Sequence, residues 1–448
     1  MRRILFSLLL FPFCLFSKES VIPAFEGEPS SIVHGCVDVI TGAFFQNETD
    51  MIVEGPESIQ LTRSYNSWDD YPDPTTGSGW RFNIPTTFHS PSLSNKVYVT
   101  ENSGSLVEYL LSNRKERNRR MGSFVQSADW KVDPTIALTN TGSGFIGSET
   151  NRKNNQIHFF RETKKKSSVD FTNSLGDKTH FYLHEYPEET RYVWPVEYIQ
   201  RRNGNRLNIF LHKGNVIKQL LASNPSTREV FGKADFLHPS RDLIEVKGSN
   251  GQWVKYKFRF HGGQKYLAAV ESSHQAPVSY EYGVPAGSTY RIINVKRPNG
   301  QKLELSYYQM HMTRVTEFGW FNIRSPDDFR VGRVYSLTGL KDGKRIVLYA
   351  FRYLQEADGS GSTLVIDSKG NHTQYFYSKE KRLTRIDYRK KGGSLKSETF
   401  YWGEGVDKGN LISRCTHNDK GEVVLCQTYS YDPFGNVLKK KDLWKSHR

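Results

Sequence analysis

Cysteine is scarce in this chain. It holds four, Cys14, Cys36, Cys415 and Cys426, and Cys14 lies within an apolar leader, so the mature protein can form at most one intramolecular bond and leaves one thiol over. A disulfide framework is thereby excluded as the source of the fold. No apolar run reaches the roughly 18 residues of a helical membrane span, which predicts a chain without one. No long apolar pattern recurs at a period of 3.6, which excludes a helical core. A Gly-x-Ser-x-Gly elbow, a phosphate-cradling Gly-Lys-Ser/Thr loop and a His-Glu-x-x-His helix are all absent, so no catalytic class declares itself and no cofactor is implied.

Aromatics, glycine and proline are abundant. The 448 residues include 27 Phe, 24 Tyr, 8 Trp, 36 Gly and 18 Pro, a composition of strands and turns and enough chain for two or three cores. Met1-Arg2-Arg3, the apolar stretch Ile4 to Phe16 and Ser17 read as a secretory signal over 1–17, with a mature start near Lys18. Phe11-Pro12-Phe13 stands where lipidation of Cys14 would need small residues. The expected location is the periplasm, the cell surface or the medium. Removing Arg2 and Arg3 leaves 60 basic against 47 acidic residues, a net charge of +13, which favours anionic partners. Export places acidic polysaccharide or a cell-surface ligand ahead of nucleic acid. The runs Arg114 to Arg120, Lys164 to Lys166 and Lys439 to Lys441 read as solvated loops and a tail.

One unit recurs. Thr428-Tyr429-Ser430-Tyr431-Asp432-Pro433-Phe434-Gly435-Asn436-Val437 reads as strand, turn, strand. Tyr429 and Tyr431 share a face, while Asp432, Gly435 and Asn436 supply reversal. A second copy places the turn Asp367 to Asn371, with Gly370, before Tyr375-Phe376-Tyr377. A further copy turns at Gly421 in Asn418-Asp419-Lys420-Gly421 and, with that beginning at Asp367, is one of the two best; looser copies turn at Gly204, Gly251, Gly300 and Gly343. The spacing is irregular, roughly 20 to 50 residues.

These units resemble the YD repeat of the rearrangement-hotspot (RHS) proteins, found also in teneurins and in the shells of some insecticidal toxin complexes. Val37 to Phe44, Thr49 to Pro56, Ile59 to Ser67 and Gly79-Trp80 resemble the module that opens many RHS proteins, with Trp80 a core anchor. The resemblance implies an all-β chain: a signal over 1–17, an N-terminal sandwich-like β module over 18–110, a β-rich connection over 111–190, antiparallel YD hairpins in a curved, open sheet over 191–438, and a basic tail over 439–448. Long RHS proteins look like hollow shells around a C-terminal toxin released by self-cleavage. Here neither the toxin nor the cleavage core is recognisable, which implies an open fragment of shell.

The implied function is a non-enzymatic, exported surface or secreted binding scaffold whose exposed aromatics lie against sugar rings or an apolar partner. Two rivals stand beside it: a split piece of a toxin-delivery shell with a separately encoded RHS or toxin partner, and a carbohydrate-processing enzyme with a carboxylate pair. His180 and His184, four apart, would chelate on a helix, but their aromatic neighbours place them on a strand and argue against a metal. Asp69, Asp70 and Asp73 read as a turn. Cys415 and Cys426 flank Lys420-Gly421, and a two-residue loop there, or a four-residue loop from Asp419 to Glu422, sets them opposite each other for a disulfide. The rival fate is two buried thiols.

Overall fold

The computed structural model describes residues 28–444, with breaks at 70–71, 86, 92–95, 101–105, 112–125, 129, 133–155, 162–166, 174–175, 184–190, 287–288, 299, 311–312, 317–318, 323–327, 342–343, 392, 394, 405–409 and 432–436. The leader, His184, Asp70, Gly343, Asp432, Gly435, Asn436 and the runs 114–120 and 164–166 lie outside the described residues. Among those described there is no helix.

Alternation builds the strands. In Trp253–His261, Val254, Tyr256 and Phe258 are buried while Lys255, Lys257 and Arg259 point out or half out, the pattern of a sheet with one covered face. From Gln156–Arg161 to Val437–Trp444 each strand pairs antiparallel with its neighbours in sequence. Lys302–Tyr307 and Val334–Lys341 pair across the small hairpin Thr313–Thr316/Gly319–Asn322. The strand Arg191–Gln200 is shared: its first half pairs with Thr87–Pro91 and its second with the ladder. The sheet is open, since among the described residues Val437–Trp444 pairs with Val423–Tyr431 and no strand closes the far side.

Among the described residues seven turns repeat one geometry. In 173–177, 201–205, 248–252, 356–360, 367–371, 378–382 and 418–422 the first N–H donates to the fifth C=O and the fourth N–H donates back to the first C=O. The fourth residue is always left-handed, a glycine except for Lys381, which is the bulged hairpin loop that glycine favours. In all but 378–382 an Asn or Asp Oδ1 accepts the fifth N–H, from position one (Asn173, Asp367, Asn418) or three (Asn203, Asn250, Asp358). The recurring Asx and Gly are thus one backbone requirement met repeatedly.

Three expectations are corrected. The strands Gln156–Arg161, Ser167–Thr172 and Lys178–Leu183, expected in a connection, are rungs of the same ladder, joined through the turn 173–177. Lys439 to Lys441 lie in the last strand rather than a tail, because strand Val423–Tyr431 offers its edge to them. The loop between Cys415 and Cys426 spans five residues, closed by His417↔Val423, and a register shift beside His417 restores the direct pairing of the cysteines.

Residues 37–84 lie across the inner face of this sheet. They form the three-stranded sheet Phe45–Val53, Ile59–Asn66 and Trp80–Phe82 with the hairpin Pro72–Asp73/Gly77–Ser78. One end is tied to late strands: Val334 N–H donates to Gly42 O, and Thr363 Oγ1 to Val39 O. The other reaches early ones, where Arg201 pairs with Glu57 at 2.8 Å. Val53 fills a notch that Gly232 and Gly248 leave open, a Cβ on either meeting a Val53 methyl at 2.9 or 2.8 Å. Val53, Met51, Leu61, Trp80 and Phe82 belong to one continuous core with Phe236, Tyr256, Tyr280 and Val334.

Candidate functional site

The charged centre of the molecule sits where module and sheet meet. Ile59, Leu61, Arg63 and Tyr65 form one row of their strand, so Arg63 enters an apolar layer and is 1% exposed. Asp50 meets it because Thr49 and Met51 pair with Thr62 and Leu61, leaving Asp50 as the extra residue of a bulge. Arg63 Nε donates to both carboxylate oxygens, at 2.8 and 3.1 Å, and Nη1 donates to Tyr280 Oη at 2.6 Å. Tyr256 Oη donates to Asp50 at 2.8 Å. The guanidinium carbon stands 4.5 Å from the Trp80 ring centre, a cation–π contact strengthened by desolvation. Burial pushes Asp50 up to about 6, against the pull of Arg63 and Tyr256. Each of these bonds joins protein groups, and those with Tyr256 and Tyr280 fasten the module to the sheet.

The second feature is an open cleft of about 390 Å³ at the same seam, lined by Tyr65, Ser67, Asp69, Ser78, Gly79, His261, Gly262, Gln264, Tyr266 and Tyr290. His261 and Tyr290 stack one over the other at 5.0 Å with planes 13° apart, so the pair can offer a ligand only an outer ring face. Tyr266 tilts against Tyr290 by 52° at 5.4 Å as a second wall. Arg81 clamps Asp69 at 2.5 and 3.1 Å, so the floor carries no net charge. Gly79 admits the Tyr65 ring, which would meet any Cβ there at 2.5 Å. The lining holds a single carboxylate, whereas glycoside hydrolysis uses a facing pair.

The tyrosines of the repeated unit have a definite task. Tyr282, Tyr307, Tyr353, Tyr377 and Tyr431, with the Trp402 indole, donate to backbone carbonyls of preceding strands: Leu267, Ile292, Val334, Leu354, Leu411 and Leu383. Five of the six, Tyr353 excepted, sit at register shifts in pairing with the next strand, where a bulge re-aims the side chain. Gly361 leaves the room Tyr377 needs, since a Cβ there would meet its hydroxyl at 2.6 Å. Tyr431→Phe should cost about 1 kcal/mol, the net worth of one hydrogen bond, with little change in Tyr429→Phe, whose hydroxyl reaches Gln427 at 3.4 Å; urea melts of both variants check the contrast.

The remaining predicted residues fall as follows. Gly370 has φ of 80° in its turn, Tyr375 is half-buried against the core, and Tyr429 is buried in it. Cys415 and Cys426 face each other with Cα atoms 4.0 Å apart and are disulfide-bonded. His180 stands on the strand Lys178–Leu183, its Nδ1 2.5 Å from Asp170 Oδ1 and its ring stacked on Tyr198. Asp73 caps its turn through the N–H groups of Thr75 and Thr76. Sequence reasoning missed Asp50 and Arg63; a charge in the row Ile59, Leu61, Tyr65 was the available signal.

No curated protein matches the chain. Among solved structures it is similar to the Tc holotoxin pore of Photorhabdus luminescens, with 11% identity, 90% of this chain and 23% of that chain covered, and a TM-score of 0.24. It thus spans about a quarter of that chain's length. It is also similar to a porin-like protein of Bacteroides uniformis, with 7% identity, 64% and 89% covered, and a TM-score of 0.17. At TM-scores this low neither likeness carries an argument about this chain. Residues 35–109 match the family model described as a domain of unknown function (DUF6531), a stretch that includes the 37–84 module.

Proposed function

We propose that this chain is an exported, non-enzymatic binding scaffold that attaches to anionic polysaccharide through the outer face of its sheet. The observation that supports it is how charge is arranged there. Glu245 lies between Lys247 and Lys255, Glu304 between Lys302 and Arg345, and Glu398 between Lys396 and Arg414. Each of these carboxylates is thus bracketed by two cations. A chain of positive net charge with such groups attracts polyanions over a Debye length. Retention of the mature protein on heparin beads should fall steeply as salt rises from about 0.05 M to about 1 M; retention unaffected by salt would remove the electrostatic mechanism.

A second reading, a piece of a larger shell that works with a separately encoded partner, is favoured by the open edge. Val437, Leu438 and Leu443 are 40, 69 and 46% exposed on the last strand, and an unpaired edge is a template for another chain. Purification from its native source separates the readings: a stoichiometric second chain that stays bound at high salt supports the partner, and the protein alone supports the free scaffold.

A further inference from the structure

Within the seam cleft the polar groups divide sharply. Ser67 Oγ accepts the Phe44 N–H at 2.9 Å. Both Asp69 oxygens accept from Arg81, and Gln264 Oε1 accepts from the Tyr266 hydroxyl at 2.6 Å. Ser78 differs: it is 7% exposed, lines the cleft, and its Oγ has no hydrogen-bond partner. A buried hydroxyl without a partner costs roughly 1–3 kcal/mol, and a ligand hydroxyl, which both donates and accepts, would satisfy it.

We propose that this cleft is a binding site for one neutral hexopyranose ring. The outer ring face of the His261–Tyr290 stack matches the C–H face of such a ring, an apolar surface bounded by hydroxyls. Tyr266 closes the second side, and Ser78 meets a hydroxyl on the floor. A clamped carboxylate with its guanidinium leaves a floor of zero net charge, which disfavours a sulfated or carboxylated sugar and gives an organic cation no unbalanced anion to pair with. The volume of about 390 Å³ lies within the roughly 300–1,000 Å³ of small-molecule sites. This deepens the polysaccharide reading, since both take a glycan as partner, but it uses a different surface and a salt-independent contact.

The test uses the mature full chain at about 0.5 M salt, where attraction between exposed charges is screened within a few ångströms. Methyl α-glucoside, methyl β-galactoside and methyl α-mannoside are titrated by saturation-transfer NMR, with choline as the cationic rival. At least one glycoside should bind with a Kd of about 1 mM, a modest affinity for an open site. Tyr290→Ala should weaken it at least tenfold and Ser78→Ala several-fold, with both variants retaining the wild-type circular dichroism spectrum and Tm to within a few degrees. Binding of none of the three glycosides, binding of choline alone, or glycoside binding unchanged in both variants would each overturn the site. Heparin retention is measured on the wild-type chain: its persistence with glycoside binding absent refutes this cleft alone, while its absence with glycoside binding intact refutes the outer-face reading alone.

Discussion

Arg63→Met should lower the stability of the protein by about 3–5 kcal/mol at pH 8, because breaking a buried pair leaves its partner charge uncompensated. Asp50 is 1% exposed and keeps only the Tyr256 hydroxyl once Arg63 is gone. The penalty is pH-dependent, and its sign follows from Asp50. With Arg63 present, burial already raises Asp50 to about 6, above the ordinary carboxylate value near 3.9. A raised carboxyl contributes stability that is fully present below the unfolded value and is lost as pH rises through the folded one. Removing Arg63 takes away an attraction that lowers Asp50, so the folded value climbs and the loss extends further into the neutral range. The difference between wild type and Arg63→Met should therefore be smaller at pH 5 than at pH 8. Urea unfolding at both values reads it directly, and an equal difference at both would show that Asp50 does not sense the guanidinium.

Trp80→Ala should cost about 3–5 kcal/mol, the range for deleting a large buried aromatic. Trp80 is fully buried, stands 5.1 and 5.0 Å from the rings of Tyr65 and Tyr280, and donates its indole N–H to Tyr282 Oη at 2.9 Å. Losing it removes packing from both sides of the seam and the cation–π contact to Arg63 together. Trp80→Phe, which keeps a ring but not the N–H, should cost less than half as much. Limited proteolysis of the two variants locates the damage: cleavage should begin within 37–84 in Trp80→Ala while the ladder from 191 onward persists longer.

How much of this was legible in the sequence depends on whether the signal was local. The turns were, because a left-handed fourth residue and an Oδ1 acceptor are demanded within five residues, as at Asp367 to Asn371 and Asn418 to Glu422. The opposition of Cys415 and Cys426 was also local, although the path to it was not: a five-residue loop and a register shift cancel. Lys381 shows the limit, since a lysine in the glycine position hid the turn 378–382 from the Asx–Gly pattern. The seam was not legible at all. Asp50 points inward only because a bulge adds one residue to its strand, and no local pattern announces a bulge. The notch under Val53 needs Gly232 and Gly248 on adjacent strands, sixteen residues apart, and a module nearly two hundred residues upstream. The cleft draws its lining from 65–79 and 261–290, a separation that no spacing motif spans.

The central claim is that residues 37–84 lie across the inner face of the sheet, and one cross-link tests it. The Cβ of Val53 is 3.9 Å from the place a Cβ at position 232 would occupy, close to the separation of about 3.8 Å that a disulfide requires. In a Cys36→Ser background, Val53→Cys with Gly232→Cys should oxidise almost completely under mild conditions, give a single 53–232 peptide in a non-reducing map, and stabilise the protein by about 2–4 kcal/mol. A folded protein in which both new thiols remain free and alkylate readily would contradict the docking of the module on the sheet.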